Sequence, residues 1–521
     1  MVHQLSLGRG TGHGVRARRG GGVDHRGQGA AGAAAAAGPG HGDEKKTPGL
    51  TEAFDALWRQ ARPAFAQDRT WLRARMLALS SLVGLGRRTV TGMLTASAQH
   101  GLDWSAAYRL FAQERFEQEA LFAPALRAVL ARLGEAEPLV VLMDDTLIHK
   151  RGRKIHGTGW KRDPLGPAFC NNFIWGQRYV QLSAALPEGS GASRARGIPI
   201  DWTHSPLPPK PRRNAPVEQW AQYEELQRMM KVSVVGLERI RALRAALDAQ
   251  GQQRRKLLVA LDGTFTNQSV FRALPERTVA IGRLRKDARL YAVPQESHTS
   301  RRGRKRFYGE PLPSPEQLRK DPSIPWIEVD AWAAGKLQRF ELKTCSPVRW
   351  RGSGKRDVRI VVIRPLAYRP RKGSRLLYRN PVYLVCSDPE LPLQRLLQAY
   401  VWRWEIEINF RDEKTVLGVG EAQVRTPAAV QAVTSFVVAA YAFLLLAAAQ
   451  TGRIALPLPK WRKEQPPQRD STPRLLGALR HQLWGKALGV NLTRVAYNKE
   501  GKTTDVEIAS ALPSAVLYAF R

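Results

Sequence analysis

The chain has 521 residues and carries a formal net charge of +37, with 82 Lys and Arg against 45 Asp and Glu. So large a positive imbalance indicates a polyanionic partner, and nucleic acid fits better than a membrane. The most apolar stretch, residues 436–449, is shorter than the roughly 20 residues that a bilayer-spanning helix requires. We therefore expect a buried helix there, behind the helix that carries Glu407, and no membrane partner.

The three cysteines, Cys170, Cys345 and Cys386, are isolated and form no CxxC pair. This pattern argues against a disulfide scaffold and a thiolate zinc site, and it indicates a reducing cytoplasm. The first residues also lack the apolar segment of a secretory signal.

Residues 1–48 are rich in Gly, Ala, Arg and His and contain few large apolar residues. Such a composition cannot bury enough surface to fold, so we expect a disordered basic tail. The tail either adds nonspecific DNA affinity or has no role.

Residues 49–136 are predicted to form an all-α domain. Arg87 and Arg88 precede one helix, residues 99–101 break the chain, and Asp103 can cap a second helix from Trp104. Two helices joined by a short turn can form a helix-turn-helix motif, which places a recognition helix in a DNA major groove. We expect Arg87 and Arg88 to be DNA contacts. A plain pair of antiparallel helices is the alternative.

Residues 137–285 are predicted to form the first part of an α/β catalytic core. Two apolar runs, residues 139–143 and 257–261, end abruptly in acids, Asp144 and Asp262. Such runs are typical of strands covered on both faces, and ligands collect at the carboxyl ends of these strands. Asp144 ends its run directly and is the preferred first acid, with Asp145 as the alternative. The strand ending at Asp144, candidate strands over residues 173–183 and 197–202, a helix (218–249) and the strand ending at Asp262 predict a mixed sheet flanked by helices.

The interval between Asp262 and Glu407 is far longer than one strand-to-helix connection requires. We therefore predict a β-rich insertion over residues 286–392. Basic residues border it, and we expect Arg285, Arg304 and Lys305 to contact DNA phosphates.

Residues 393–455 are predicted to complete the core, followed by a linker and a C-terminal helical region over residues 456–521. In a helix over 399–419, Tyr400, Arg403, Glu407 and Lys414 fall at roughly 0°, 300°, 340° and 320° around the axis, in one stripe about 60° wide. Glu405 falls nearly opposite, so Glu407 is the candidate acid.

A surface helix with an i,i+4 Arg–Glu pair is the alternative for this stretch. With Asp144 and Asp262, however, Glu407 makes a three-carboxylate cluster. Such a cluster suits Mg²⁺ or Mn²⁺, because these cations prefer oxygen ligands.

The spacing Y-x2-R-x3-E-x6-K, together with the D-x-T context of Asp144 and the D-G context of Asp262, resembles the Y-R-E-K group of bacterial insertion-sequence DDE transposases. The resemblance spans roughly residues 138–453. It implies an RNase H-like core in which Asp144, Asp262 and Glu407 hold two Mg²⁺ ions, with Mn²⁺ as a substitute.

The resemblance further implies cut-and-paste transposition through a DNA hairpin. Tyr400, Arg403 and Lys414 would grip DNA phosphates, and Trp350 would either receive a flipped base or pack within the insertion. The expected partners are double-stranded DNA, at the element ends and the target, and a second copy of the chain. The expected location is the bacterial cytoplasm, at the nucleoid. Two other readings remain: an inactive DNA-binding protein derived from a transposase, and an RNase H-like nuclease.

Overall fold

The computed structural model describes residues 48–163, 166, 170, 172–294, 306–371, 373–452, 469–485, 487–488, 516–517 and 519. The predicted basic tail (1–48) therefore lies almost entirely outside the described residues.

The described helices are α1 Leu50–Gln60, α2 Asp68–Val83, α3 Val90–Ala96, α4 Ser105–Ala112, α5 Gln118–Leu130, α6 Val217–Met229, α7 Val232–Ala249, α8 Gln268–Phe271, α9 Pro315–Lys320, α10 Leu393–Trp402, α11 Trp404–Thr415, α12 Pro427–Thr451 and α13 Thr472–Trp484.

The described strands are β1 Leu139–His149, β2 Gly159–Arg162, β3 Phe173–Pro187, β4 Ala195–His204, β5 Leu257–Leu261, β6 Thr278–Arg283, β7 Leu290–Tyr291, β8 Pro311–Leu312, β9 Ile327–Ala333, β10 Lys336–Trp350, β11 Asp357–Ile363, β12 Ala367–Tyr368, β13 Leu377–Tyr378 and β14 Val382–Cys386.

A mixed sheet of 12 strands forms the centre of the fold, in the order β2-β3-β1-β5-β6-β14-β11-β10-β7-β8, with β4 on β3 and β9 on β10. Strand β1 runs antiparallel to β3 and parallel to β5, and β5 runs parallel to β6. All five residues of β5 are buried, which explains its unbroken apolar sequence. Strands β4-β3-β1-β5-β6 with their flanking helices are consistent with the predicted RNase H-like core.

The strands predicted for residues 286–392 are present as β9, β10, β11 and β14. Strand β14 pairs with both β6 and β11, so these strands extend the central sheet rather than forming a sheet of their own. The predicted domain limits themselves remain predictions.

Helices α1 to α5 occupy the segment that was predicted to be helical, and they pack on α12. Trp58 of α1 lies 6.0 Å from Phe436 and 5.9 Å from Phe443, measured between ring centroids. The N-terminal helices therefore share one apolar core with the sheet-flanking helix α12.

Helix α12 has 25 residues, so the prediction that its apolar stretch is too short to cross a bilayer was wrong. Its most apolar window is 89% buried by the rest of the described structure, which agrees with the predicted buried helix. Thr434 and Ser435, which interrupt the apolar run, donate hydrogen bonds to the backbone oxygens of Val430 and Ala432 in the same helix. The helix therefore includes these two polar residues and begins at Pro427, well before Phe436.

The predicted helix over residues 218–249 is two helices, α6 and α7, separated at Met230 and Lys231.

Candidate active site

The first two candidate acids lie on neighbouring parallel strands. The last described pair between β1 and β5 is Met143 with Leu261, so Asp144 and Asp262 follow at the same level. The prediction that the first strand ends at Asp144 was wrong, because β1 continues to His149 with β3 as its partner. Asp144 therefore lies at the step where β5 ends and β1 loses one neighbour, which leaves room beside the carboxylate.

The predicted single helix over residues 399–419 is two helices that meet at Arg403. The Arg403 N–H donates to the Tyr400 oxygen and the Ile406 N–H donates to the Arg403 oxygen, at 3.1 and 3.2 Å. These are the tight i→i+3 bonds of a helix end. Tyr400 thus belongs to α10, while Glu407 lies in the first turn of α11.

The orientation predicted for α11 is nevertheless found. Ile406 is fully buried, and Glu405 points away from Asp144 to pair with Arg469, with 2.9 Å between Oε2 and Nη1. Glu407 therefore faces the strands, as predicted.

The Arg403 guanidinium joins two of the three candidate acids. Its Nη1 donates to Asp144 Oδ2 and its Nη2 to Glu407 Oε1, both at 3.0 Å. Asp262 is near enough to interact electrostatically with all three of these groups. Strand β1, the end of β5 and the start of α11 therefore converge on one site.

Burial and like charge perturb the acids of this site. Burial raises the pKa of Asp144 to about 8; the Arg403 charge opposes this rise, and the charges of Asp262 and Asp145 add to it. Burial also raises the pKa of Glu407, against the effect of Arg403 and with a smaller contribution from Asp262. Burial is the main cause of both shifts and the charge of Asp262 a smaller one, and a bound cation would oppose both.

Asp145 has a different partner. Consecutive strand residues point to opposite faces, and the Asp145 Oδ2 lies 3.3 Å from Nε of Arg178 on β3. Burial raises the pKa of Asp145; the charge of Arg178 opposes this rise, the charge of Asp262 adds to it, and the charges of Lys161 and Lys414 oppose it. The geometry thus favours Asp144 over Asp145 as the acid that acts together with Glu407.

The family model described as DDE superfamily endonuclease matches residues 61–356, which is more than half of the chain. The chain belongs to the DDE superfamily endonucleases. The match contains Asp144 and Asp262 and ends before Glu407. Among curated proteins, none matches the chain. This superfamily comprises transposase-like nucleases that cleave DNA, generally with divalent metal ions.

The donor set of this DDE endonuclease fits a hard divalent cation, because Asp144, Asp262 and Glu407 offer carboxylate oxygens only. Within the described residues, no group of three acidic, His or Cys side chains is already closed around a metal position. The side chain that stands between Asp144 and Glu407 is Arg403.

Two other residues of the predicted stripe lie beside the acids. The Tyr400 ring is 6.0 Å from the Arg403 guanidinium. The exposed Lys414 has its Nζ 5.8 Å from the Phe410 ring and is near enough to interact with the charge of Asp144. The endonuclease therefore keeps Tyr400, Arg403, Glu407 and Lys414 on one side despite the helix break.

Of the two DNA contacts predicted for the N-terminal helices, one is exposed and the other is buried. Arg87 is exposed just before α3, whereas Arg88 is 5% exposed and its backbone N–H donates to Glu421 Oε2 at 2.7 Å. The burial of Arg88 is at odds with a surface contact to DNA and gives it a packing position instead. Helix α4 begins at Ser105, one residue later than predicted, and Asp103 accepts the Ser105 N–H at 2.9 Å.

The residues predicted to contact phosphates or a flipped base near the insertion also differ from one another in their exposure. The Arg285 side chain is 85% exposed and pairs with Asp287 at 2.8 Å. Trp350 packs edge-on against Phe271 with 5.3 Å between ring centroids, which favours the packing alternative over a flipped-base contact. Arg304 and Lys305 lie outside the described residues.

Sequence reasoning missed the polar residues beneath the site. Gln181 is the cross-strand partner of Asp144, and Asn409 of α11 donates to Ser183 Oγ at 3.1 Å. Glu413, also on α11, is completely buried, and burial raises its pKa to about 8. A helical projection of α11 could have identified Asn409 and Glu413 as inward-facing, but their partners on β3 depend on strand register.

Proposed function

We propose that this DDE endonuclease is an insertion-sequence transposase of the Y-R-E-K group that cuts and rejoins DNA by cut-and-paste transposition. The observation that carries the proposal is the Arg403 bridge. It ties Glu407 to Asp144, which the β1–β5 register sets beside Asp262. Three acids from distant parts of the chain thus meet at one edge of the sheet.

Asp144, Asp262 and Glu407 would hold the divalent ions, with Mg²⁺ as the natural choice and Mn²⁺ as a substitute. When bound, such ions polarise the phosphodiester and stabilise the charge that develops on its oxygens. The residues of the chain set the position: two acids are fixed by the sheet, and the third is fixed by α11.

The proposed reaction is in-line displacement at phosphorus. Water attacks a phosphodiester at the element end and the P–O3′ bond breaks, which frees a 3′-hydroxyl and leaves a 5′-phosphate. This 3′-hydroxyl attacks the phosphodiester of the opposite strand, whose flanking 3′-oxygen leaves, so that a hairpin closes the element end and the flanking DNA separates. A second water opens the hairpin, and the regenerated 3′-hydroxyl attacks a target phosphodiester, whose 3′-oxygen leaves, in strand transfer. Tyr400, Arg403 and Lys414 would hold phosphates near the reacting strand, since Arg offers a bidentate contact and Lys a point charge.

The DNA substrate would be held over a wider basic surface. The net charge of +37 supports such binding, and exposed Arg87 and Arg285 are candidate phosphate contacts. Helices α3 and α4 would read the element ends. A homodimer on DNA and a location at the bacterial nucleoid in the cytoplasm complete the proposal.

Glu407→Gln tests the proposal. The variant should lose metal-dependent cleavage of DNA that carries the sequences flanking the gene, while gel-shift binding of the same DNA is retained. Glu405→Gln is the matched control, because Glu405 lies on the same helix but pairs with Arg469 on the far side. If Glu407→Gln lost DNA binding as well, Glu407 would support the fold rather than the reaction.

A further inference from the structure

Arg403 occupies an unusual backbone position. It is the C-cap of α10 and the N-cap of α11, so it lies between two helices and belongs to neither. Its side chain is nevertheless deep in the protein, and the residue is only 9% exposed.

The guanidinium of Arg403 takes up oxygens that a metal would need. Asp144 Oδ2 and Glu407 Oε1 each accept one of its N–H groups at 3.0 Å. Because an Arg side chain stays protonated in proteins, Arg403 is a cation held between Asp144 and Glu407.

We infer that Arg403 is an internal counter-cation: it neutralises Asp144 and Glu407 before metal arrives, and a divalent cation must displace it. This inference rests on the proposed function, since it takes these acids as metal ligands. Because the guanidinium and the metal compete for the same two oxygens, Arg403 weakens metal binding in the DNA-free protein. Once displaced, the side chain is available to a DNA phosphate.

The test is Mn²⁺ binding to the DNA-free full-length protein, measured by isothermal titration calorimetry. Arg403→Gln removes the competing cation, and we expect it to bind Mn²⁺ about tenfold more tightly than the unmodified protein, given the strength of charge-assisted hydrogen bonds. Arg403→Lys should fall between the two, because an ammonium is a point charge without the planar fork. Equal or weaker Mn²⁺ binding by Arg403→Gln would overturn the inference.

Arg469→Gln is the matched control. It removes an Arg–Glu pair of the same helix, in which Nη1 lies 2.9 Å from Glu405 Oε2, on the side away from the acids. Its Mn²⁺ affinity should equal that of the unmodified protein. A tightening shared by Arg469→Gln and Arg403→Gln would reflect general loosening of α11 and would also overturn the inference.

Asp262→Asn separates this inference from the proposed function. It removes one candidate ligand and leaves both Arg403 hydrogen bonds in place. If Asp262→Asn binds Mn²⁺ as well as the unmodified protein, the acids are not a metal site and the proposed function fails. If Asp262→Asn weakens Mn²⁺ binding but Arg403→Gln does not tighten it, only the role of Arg403 fails.

Discussion

The two sides of strand β1 hold adjacent acids in different surroundings. On one side, Asp144 shares the Arg403 guanidinium with Glu407, so one cation serves two carboxylates. On the other side, Asp145 lies 3.3 Å from Arg178, a side chain on the neighbouring strand β3. The first arginine stands at a helix junction, whereas the second stands within a regular strand.

This difference shows how two adjacent aspartates, Asp144 and Asp145, can take different roles. The Arg178 pair is a cross-strand contact, fixed by the β1–β3 register and part of the sheet itself. The Arg403 contact joins β1 to α11, which are far apart in sequence. In it, one positive charge is shared by the carboxylates of Asp144 and Glu407. A site that has to bind a metal and a phosphate needs an arrangement like that of Arg403, in which one arginine is shared by two carboxylates from distant parts of the chain.

The largest expected difference between the two sides is in catalysis. Asp144→Asn should lower the rate of metal-dependent DNA cleavage by about a thousandfold or more, since loss of a metal ligand removes several kcal/mol of transition-state stabilisation. Asp145→Asn should lower it by less than about tenfold, because its carboxylate faces Arg178. Single-turnover nicking of plasmid DNA measures both rates. The opposite ranking would make Asp145 the first acid.

A smaller difference is expected between the arginines. Arg403→Ala should slow cleavage by about 10–100-fold, the equivalent of one charge-assisted hydrogen bond to phosphate, even though metal binding becomes tighter. Arg178→Ala should slow it by only a few-fold, because the side chain supports Asp145. The same single-turnover assay at saturating Mn²⁺ measures this, so that metal affinity does not enter. Equal effects would remove the distinction between the two arginines.

The sequence was sufficient to predict that apolar strands precede Asp144 and Asp262, and these runs lie in the neighbouring strands β1 and β5. The catalytic role of the two acids stays a prediction. An apolar run that ends in Asp marks both Asp144 and Asp262, because a strand covered on both faces is apolar and ligands collect at the carboxyl ends of such strands. The same signal could not show that β1 continues beyond Asp144. That extension depends on pairing with β3, and a contact between distant segments leaves no local pattern.

The helix break at Arg403 was hidden for a related reason. Four polar residues on a 3.6-residue period are compatible with one helix, and a single tight turn between two helices displaces them only slightly. The partners of the acids were equally hidden: Arg178 reaches Asp145 through strand register, and Arg403 reaches Asp144 only after the chain has folded.

The smallest expected effect is a change in protein stability caused by the burial of Glu413. This residue lies on the face of the sheet that carries Asp144, and it has no proposed role in the reaction. Helix α11 covers that side, and neither Glu413 carboxyl oxygen forms a hydrogen bond of normal geometry within the described structure. The Gln181 Oε1, on the partner strand of β1, is likewise unsatisfied there. Burial raises the pKa of Glu413 to about 8, and the neighbouring Gln181 side chain and the charge of Lys414 oppose this rise.

Because this pKa lies above the ordinary value of 4.5, the folded protein keeps a proton that the unfolded chain has lost. Stability should therefore fall as the pH rises from about 4.5 to about 8, and the contribution of Glu413 should be constant above that. Glu413→Gln does not titrate, so its stability relative to the unmodified protein should rise over the same interval by at least about 1.4 kcal/mol, the equivalent of one pKa unit. Urea unfolding at both ends of the interval measures this, with Glu405→Gln as the control that loses an ion pair instead. A difference that does not change with pH would mean that the Glu413 carboxyl is hydrated, and that the Asp144 side of the sheet is no drier than the side of Asp145.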